Sequence, residues 1–600
     1  MDGENVCAYT YVPGEDGPAE GGDAVEEEWS CPHDAHPDAE RCVFHLSPAE
    51  CAARDVSDAE VRDAFIEAIR ATPDVYNEFV GAHFDTLDLS GRKLESGNSL
   101  PVNLRHATFA GRLRLRNAHV VDELVLSHSH LHGRFDFASA RFENDLTAYD
   151  CTFDGVVKAS TARFDRRVVF ARSTFTYTAA FDNGAAFDED AVFTGAHFAS
   201  NAQFTGAHFD GRAFFRGAAF PDDARFRSAE FVDVASFADA DFEGTADFRS
   251  TRFNAAVHFG DADIHSGYES ARFAIEPTFA DGVSEDAFDC AGVRFDAGAD
   301  FQGFDFDGPA DFDGATFGDD VTLTDVTCGG GFRFTPDSVT EDVRVVAERT
   351  HMENGTLGQP ADGRVFYDFR DAYLGPVTVT GAEGDDTPAI AYMRFVTTTF
   401  DEFDFTGFRP YLEPEFDIHS FDVPTDIDPV ELSPRDEEIT YMKAKSGADE
   451  VGDDRCMSGF FVREMRARGK RFRAHARRAD DPLERTTNVV HYGYNRAFDF
   501  LCRYAEDPHR LLGVLIGVIG VFGLLYWAGF ALVAAPAPYT GAPAPLNFVL
   551  LSGEAFVAMV YPPVASMPTW VLRGVAVAES IVGALFISLF LFTLTRAVHR

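Results

Sequence analysis

Lysine, disulfide-forming cysteine and the short motifs of common enzymes are scarce or absent in this sequence, and each shortage excludes a class of protein. Five lysines stand among 51 basic residues, against 98 Asp and Glu, so the formal net charge is −47. Such a charge repels phosphates and excludes a chain-wide nucleic-acid binder. Nine cysteines in 600 residues are too few for a disulfide scaffold. The sequence has no P-loop, G-x-G-x-x-G after a strand, H-E-x-x-H or G-x-S-x-G motif, so we expect no enzyme.

The remaining composition is that of a folded, acidic protein. Hydrophobic residues make up 46% of the chain, which excludes wholesale disorder. The chain begins MDGENVCAYTYV, without an apolar run, so we expect no cleaved signal peptide. High acid with little lysine resembles the proteins of salt-loving archaea. The Debye length in molar salt is about 3 Å, so the repulsion within such a chain would be screened.

Sixty phenylalanines dominate the aromatic content, and most follow a regular spacing. From Leu104 the large apolar residues are separated by alternating steps of five and six, with one extra residue before Phe187 and a break of about 30 residues before Phe295. Because only two residues in eleven are large and apolar, a soluble helix does not explain the period. A solenoid that places one large side chain inward per short unit does explain it.

These units resemble the pentapeptide-repeat family, whose units carry a central Leu or Phe and a small residue two positions earlier, as in Ala196-His197-Phe198. The resemblance covers residues 80–335. It implies a mainly β fold, a right-handed quadrilateral β-helix with coils of about 22 residues. We expect a helical cap over residues 56–79 and an irregular β extension and linker over residues 336–430. The β-helix would bind a protein or ligand that the sequence does not identify.

Two long apolar segments near the C-terminus, residues 511–534 and 574–595, predict transmembrane helices. At 1.5 Å per residue, each exceeds the roughly 30 Å hydrocarbon core of a bilayer. Residues 455–510 hold 13 Lys and Arg against 7 Asp and Glu, whereas residues 535–570 contain no Lys or Arg. The positive-inside rule therefore predicts a multi-pass protein of the cell membrane. Both termini, the repeat domain and a basic α-helical linker over residues 431–510 would be cytoplasmic.

The connection between these segments contains a shorter apolar stretch, residues 546–561, suited to a re-entrant half-helix in a membrane domain over residues 511–600. Residues 547–600 resemble the two-helix potassium-channel family, in which a half-helix points at the pore and a T-V-G-Y-G-D loop lines it. Alignment on the tyrosine places at that loop Ala558, Met559, Val560, Tyr561, Pro562 and Pro563. Val560 and Pro562 replace the two filter glycines that aim carbonyls at the ion. The architecture therefore carries over, whereas K⁺ selectivity does not.

Two acidic residues of this region lie at membrane depth and are therefore functional candidates. Glu554, on the half-helix, would form an acidic ring in a symmetric oligomer and contact cations. Glu579 and Gly583 align with an acid and a hinge glycine of the inner helix in the channel family. The alternative for Glu579 is a purely structural pair with Arg573 or with a neighbouring chain's half-helix.

Cysteines and histidines cluster within residues 1–55 and predict a metal site. Three thiolates and one imidazole suit tetrahedral zinc, and the predicted ligands are Cys7, Cys31, Cys42 and His45. His33 and His36 are spare ligands, and Cys51 is the odd thiol. The alternative is a loose acidic tail with unrelated cysteines, because the spacing between Cys7 and Cys31 is unusually long for a pair of zinc ligands.

Together these features predict an integral membrane protein with a cytoplasmic repeat domain and a channel-like membrane domain. A pore needs several chains, so we expect a homo-oligomer, a tetramer by analogy with the channel family, that passes inorganic cations. A membrane-anchored repeat scaffold without conduction is the alternative, favoured by Val560 and Pro562. An acidic mimic of DNA is a third hypothesis, weakened because the acid is spread over nearly the whole chain.

Overall fold

The computed structural model describes residues 6–13, 28–71, 77–260, 271–382, 386–412, 417–427, 429–539, 543–558 and 567–598. The chain divides into two compact units. The first comprises Met1–Phe395 and Ser420–Ile427, and the second comprises Val396–His419 and Asp428–Arg600. The first unit is a β-solenoid with a small N-terminal cap, and the second is mainly α-helical.

The solenoid has about 14 turns, and its short strands form parallel ladders on four faces. In a regular turn the register advances by one coil, so that His130 pairs with Thr108 on one side and Thr152 on the other. The strands of the first face are His83–Phe84, Thr108–Phe109, His130–Leu131, Thr152–Phe153, Thr174–Phe175, His197–Phe198, Ala219–Phe220, Asp241–Phe242, Arg272–Phe273, Arg294–Phe295, Thr316–Phe317, Ser338–Glu348, Asp362–Arg370 and Met393–Val396.

The three other faces have the same construction. The second face contains Leu87–Asp88, Leu113–Arg114, Phe135–Asp136, Val157–Lys158, Ala179–Ala180, Ala202–Gln203, Ala224–Arg225, Ala246–Asp247, Ala299–Asp300 and Val321–Thr322. The third contains Lys93–Leu94, His119–Val120, Arg141–Phe142, Arg163–Phe164, Ala186–Phe187, His208–Phe209, Glu230–Phe231, Arg252–Phe253, Val283–Ser284, Asp305–Phe306, Thr327–Cys328, His351–Met352 and Tyr373–Leu374. The fourth contains Val102–Asn103, Leu124–Val125, Leu146–Thr147, Val168–Val169, Ala191–Val192, Ala213–Phe214, Ala235–Ser236, Val257–His258, Phe288–Asp289, Ala310–Asp311, Phe332–Phe334, Gly355–Gly358 and Val377–Thr380.

Phenylalanine rings fill the interior in stacked columns. Phe187, Phe209 and Phe231 stack with successive ring centroids 4.7 Å apart and nearly parallel planes, and all three are fully buried. The small residue two positions earlier, such as Ala207, is also buried and leaves room for the rings of neighbouring columns. Alternating steps of five and six thus bring one large side chain to each successive face, which confirms the predicted solenoid.

Left-handed backbone recurs at the corners of the coils at intervals of eleven residues. Gly195, Gly206 and Gly217 have φ angles of 65°, 66° and 62°, a region that glycine adopts without steric penalty. In earlier coils the equivalent corners are occupied mostly by short polar residues such as Asn117 and Asp150, which tolerate the same backbone. This requirement explains the Gly, Asp and Asn between the phenylalanines.

Two irregular turns change the spacing while the ladders of the first, third and fourth faces continue, and on the second face the ladder passes the longer coil through single bridges at Thr278. Arg163 pairs with Ala186, one position farther along the chain than in a regular coil, which accounts for the extra residue before Phe187. Phe242 pairs with Phe273 across a longer coil, and their ring centroids are 4.7 Å apart. The ladder of the first face therefore continues through the break expected before Phe295.

The solenoid also continues past residue 335, into the segment expected to be an irregular extension. Two strands there lengthen, Ser338–Glu348 and Asp362–Arg370, and Ser338–Glu348 pairs in turn with strands of the first and second faces. A 3₁₀ helix follows at Ala389–Tyr392. Irregular spacing in this segment thus reflects longer strands, which bury more than one apolar residue each, and not the end of the coils.

The N-terminal cap covers the first turns. A short antiparallel pair, Thr10–Tyr11 with Trp29–Ser30, precedes helices α1 (Pro48–Ala53) and α2 (Asp58–Arg70), each of which begins with a serine–glutamate capping box. The ring of Phe65 on α2 is buried, with its centroid 4.6 Å from that of Phe79. Helix α2 therefore closes the open end of the apolar core, as solenoids require.

The second unit contains the remaining helices. After the strand Thr399–Phe400 and the 3₁₀ helix Thr406–Phe408, these are α3 (Arg409–Leu412), α4 (Pro434–Glu450), α5 (Asp454–Arg478), α6 (Pro482–Cys502), α7 (Pro508–Leu532), α8 (Ala544–Val557) and α9 (Trp570–Val598). Helices α7 and α9 are long and apolar enough to cross a membrane. Tyr526 and Phe530 of α7, Phe548 and Leu551 of α8, and Ala576 of α9 form one buried cluster.

The first and last residues of the apolar helices differ from those predicted from the sequence. Helix α7 begins earlier than expected, at Pro508, where Asp507 caps its first turn, and α9 also begins earlier, at Trp570. Helix α8 ends at Val557, before the predicted end of the half-helix. Hydropathy marks the apolar core of a helix, whereas polar caps decide where its hydrogen bonding starts and stops.

Candidate functional site

The N-terminal cap brings the four predicted metal ligands together. The ligand atoms of Cys7, Cys31, Cys42 and His45 all lie within 4.8 Å of one another, and all four residues are buried. The Sγ atoms of Cys31 and Cys42 are 3.7 Å apart. His45 Nδ1 lies 3.7 Å from Sγ of Cys7 and 3.1 Å from Sγ of Cys42.

These distances fit a tetrahedral metal ion. With metal–sulfur and metal–nitrogen bonds of about 2.3 and 2.05 Å, a tetrahedron separates two sulfurs by about 3.8 Å, and a sulfur from a nitrogen by about 3.6 Å. The distances between Cys31 and Cys42 and between Cys7 and His45 agree with these values, and the distance from Cys42 to His45 is shorter by about 0.5 Å. The cluster can therefore bind a metal.

Groups around the cluster orient its ligands. The backbone N–H of Cys42 donates to Sγ of Cys7 at 3.1 Å, and the hydrogen bond from the Cys31 thiol holds the pKa of Cys7 well below its usual range. His45 Nε2 lies 2.9 Å from the carbonyl oxygen of Val80, so the other ring nitrogen, Nδ1, faces the sulfurs. The Tyr9 ring stacks on the same imidazole at 3.9 Å. Outer contacts of this kind fix metal ligands in position.

The spare ligands have other roles. His33 is buried, its Nε2 lies 2.9 Å from the carbonyl oxygen of Glu78, and its ring stacks on Phe79. His36 Nδ1 accepts a hydrogen bond from the backbone N–H of Asp38. Cys51 lies within α1. The structure thus groups His45, and not His33, with the three thiols, as the sequence predicts.

The apolar helices α7, α8 and α9 pack closely and bury Glu579. This carboxylate accepts hydrogen bonds from the hydroxyls of Tyr526 on α7 and Ser552 on α8, so all three helices meet at one polar group. One of the structural alternatives derived from the sequence, a pair with Arg573, is not formed, since Arg573 instead donates to the carbonyl oxygen of Met567. The pair with a neighbouring chain's half-helix stays a prediction.

The other predicted pore residues are placed as follows. Glu554 is exposed on α8 and accepts a hydrogen bond from the Tyr539 hydroxyl. Ala558 directly follows α8, and its N–H donates to the backbone oxygen of Glu554. Gly583 touches α8, since a Cβ on it would lie 2.0 Å from the carbonyl oxygen of Phe556. Four further pore candidates, Met559, Val560, Tyr561 and Pro562, lie outside the described residues.

A second candidate metal cluster, made of histidine and aspartate on the solenoid surface, was not predicted from the sequence. His130 Nε2 is 2.6 Å from Oδ2 of Asp154, and His132 Nδ1 is 3.4 Å from the same oxygen. Hydrogen bonding from His130 lowers the pKa of Asp154. The coil length of about 22 residues could have predicted it, because that length brings His130 into register with Thr152 and therefore close to Asp154.

Comparison with known families identifies the repeats. Residues 215–263 match the family model described as pentapeptide repeats, with nine copies. No curated protein and no solved structure matches the chain significantly. The matched segment begins after the first irregular turn and extends into the longer coil between Phe242 and Phe273. This part of the β-solenoid is thus similar to pentapeptide repeats.

Proposed function

We propose, for this pentapeptide-repeat protein with two long apolar helices, that the C-terminal helices form the pore of a homo-oligomeric cation channel and that the solenoid is its cytoplasmic domain. The observation that carries the proposal is the short apolar helix α8, which packs between α7 and α9. A long–short–long arrangement of apolar helices is the plan of a pore domain. The tetrameric state rests on the resemblance to two-helix potassium channels.

Helix α8 is too short to cross a bilayer by itself. Its 14 residues span about 21 Å, against a hydrocarbon core of about 30 Å. Non-spanning backbone at membrane depth is tolerated where protein surrounds it. Close glycine contacts provide this cover, because a Cβ on Gly523 of α7 would lie 3.3 Å from the carbonyl oxygen of Phe548, and Gly583 of α9 contacts Phe556. These contacts support a re-entrant helix.

The two carboxylates of the hairpin would have different roles. Glu579 is fully buried and hydrogen-bonded to Tyr526 and Ser552, so it holds the three helices together within one chain. Glu554 is exposed in the single chain, and in a symmetric oligomer its carboxylate would form a ring of negative charge. Such rings attract cations and exclude anions.

The charge distribution supports a cytoplasmic solenoid. Residues 455–510, which include most of α5 and all of α6, hold 13 Lys and Arg against 7 Asp and Glu, whereas residues 535–570 have no Lys or Arg. Basic flanks remain on the cytoplasmic side. Because α7 and α9 are two spans, both ends of the hairpin then lie on that side of the membrane.

Ion flux through liposomes that contain the purified full-length protein tests the channel proposal. We expect flux in molar KCl and in molar NaCl, reduced several-fold by Glu554→Gln and unchanged by Glu450→Gln, which alters an exposed acid of α4. Equal flux through Glu554→Gln and Glu450→Gln would show that Glu554 does not line the pore. The absence of flux in every preparation would contradict conduction and favour the alternative, a membrane-anchored repeat scaffold.

We further propose that the ion at Cys7, Cys31, Cys42 and His45 is structural zinc. Three thiolates and an imidazole form a closed tetrahedral set without an open position for substrate, and the short cap has little apolar core of its own. Metal analysis of the purified protein should find one zinc per chain at this site. Cys42→Ser should lose it, whereas Cys51→Ser should retain it; a metal-free parent protein, or equal zinc in both variants, would contradict the proposal.

A further inference from the structure

A basic cavity lies in the second unit where α6 connects to the first apolar helix. Its volume is about 240 Å³, and it is lined by residues of α3, α5 and the connection 503–507. Four guanidinium groups face it, together with two carboxylates: Arg455, Arg463, Arg466, Arg503, Glu506 and Asp507. An excess of positive charge in a cavity is unexpected in a chain whose net charge is −47.

The described acids near the cavity have several contacts of their own. Glu506 accepts a hydrogen bond from the Ser458 hydroxyl, and Asp507 caps α7 by accepting from the backbone N–H of Arg510. Outside the lining, Asp499 binds Arg466 at 3.2 Å. Asp417, which is half exposed, lies 3.6 Å from Nε of Arg463. Four guanidinium groups and four described carboxylates therefore lie in or beside the cavity, and a ligand is indicated by individual guanidinium nitrogens and not by net charge.

Two of these donors are buried without a hydrogen-bond partner among the described residues. The Arg463 side chain is 10% exposed, and its Nη2 makes no hydrogen bond. Nε of Arg503 is also buried and makes no hydrogen bond. Nearly all buried polar groups in proteins have a partner, because an unsatisfied donor loses its hydration without compensation. Both groups line this cavity, so an anion bound there could satisfy them.

The connection that presents Arg503 has an unusual backbone. Arg503, Tyr504 and Ala505 have consecutive φ angles of 44°, 58° and 70°, in the left-handed region that non-glycine residues rarely adopt. A hydrogen bond from the Tyr504 hydroxyl to Asn495 and a bond from the Ala505 N–H to Sγ of Cys502 hold this conformation. Strained backbone of this kind concentrates at ligand sites. Helix α7 begins immediately afterwards, at Pro508.

We propose that this cavity binds a phosphate group. Guanidinium forks match the oxygens of phosphate and bind them with charge-assisted hydrogen bonds. The volume is below the roughly 300–1,000 Å³ of pockets for drug-sized ligands, which favours a single phosphate group over a nucleotide. Two sources share this chemistry, namely free inorganic phosphate and the headgroup of an anionic phospholipid beside α7.

Calorimetric titration of the full-length protein in a phosphate-free maltoside detergent tests the proposal. One arm uses inorganic phosphate, and the other uses micelles doped with phosphatidylglycerol, with an uncharged glycolipid as the blank. We expect saturable binding of one ligand per chain in one or both arms. Binding only in the phosphate arm would assign a free anion, and binding only in the lipid arm would assign a headgroup.

Variants separate this cavity from the general basic surface. Arg503→Gln and Arg455→Gln should each weaken binding about tenfold, which corresponds to the loss of one charge-assisted hydrogen bond. Arg477→Gln, at an exposed position near the end of α5, should leave the affinity unchanged. Arg455 is itself exposed, so its replacement keeps the fold intact if Arg503→Gln does not. No saturable binding in either arm, or equal weakening by Arg477→Gln, would overturn the proposal.

Discussion

Replacement of Phe204 by alanine should open the middle of the solenoid locally. The Phe204 side chain is fully buried. Its ring stacks between those of Phe181 and Phe226, with centroids 5.3 and 5.0 Å away, and meets Phe193 and Phe215 edge-on at 5.4 and 5.2 Å. The alanine variant removes one ring from the column and leaves a cavity that two neighbouring coils share.

The expected loss follows from these contacts. Truncation of a buried phenylalanine to alanine costs about 3–5 kcal/mol. These four ring contacts, the shortest that Phe204 makes, favour the upper half of that range, since aromatic pairs add about 0.5–1.5 kcal/mol beyond area burial. Phe204→Leu keeps most of the volume and should cost about 1.5 kcal/mol or less. Tyr177→Ala is the control, because this solenoid aromatic is 54% exposed and its loss should be within about 0.5 kcal/mol.

Hydrogen–deuterium exchange of the full-length protein, followed peptide by peptide, measures the loss where it occurs. In a solenoid each coil contacts only its neighbours, so the free energy of opening should fall in peptides around residues 180–230 and remain unchanged in α4 and α5. A loss below about 1 kcal/mol for Phe204→Ala would refute close packing of the ring column. An equal loss in the helical unit would refute the local, coil-by-coil stability.

Two further perturbations test other parts of the structure. Burial opposes ionisation of Asp368, but hydrogen bonds from Arg394 and a second arginine outweigh it and lower the pKa of Asp368 to about 2; this stabilisation, about 2–3 kcal/mol, is complete above pH 4 and is lost as the pH falls to 2. In hydrogen–deuterium exchange of the last coils, the free energy of opening should therefore be higher in the parent than in Asp368→Asn. This difference should be constant from pH 5 to 7 and should decrease below pH 4; a difference independent of pH would contradict stabilisation by the ion pairs. Gly583→Val places side-chain atoms against the backbone of Phe556 and should lower the melting temperature in detergent by several degrees. Gly574→Val should not, because a Cβ at Gly574 would have no atom within 4 Å. Equal melting temperatures of the two variants would contradict close packing of α8 against α9.

Much of the fold was predictable because its determinants repeat along the chain. A coil of the solenoid needs one large inward side chain per face, so the alternation of five and six residues appears directly in the positions of phenylalanine. The same holds for α7 and α9, since the length of an apolar run is compared with the thickness of a bilayer. The metal ligands were also recognisable, because few residue types bind zinc.

Tertiary structure decided what depends on distance through space. The orientation of the His45 ring is one example, because its Nε2 lies 2.9 Å from the carbonyl oxygen of Val80 in the first coil, a contact that the local sequence does not encode. Glu579 meets Tyr526 and Ser552, which are distant from it in the sequence, and no local pattern encodes that meeting. The arginines of the cavity are likewise well separated along the chain, from Arg455 at the start of α5 to Arg503 after α6. Local spacing sets which elements form, whereas the packing of those elements sets which polar groups share a partner and which donors are left without one.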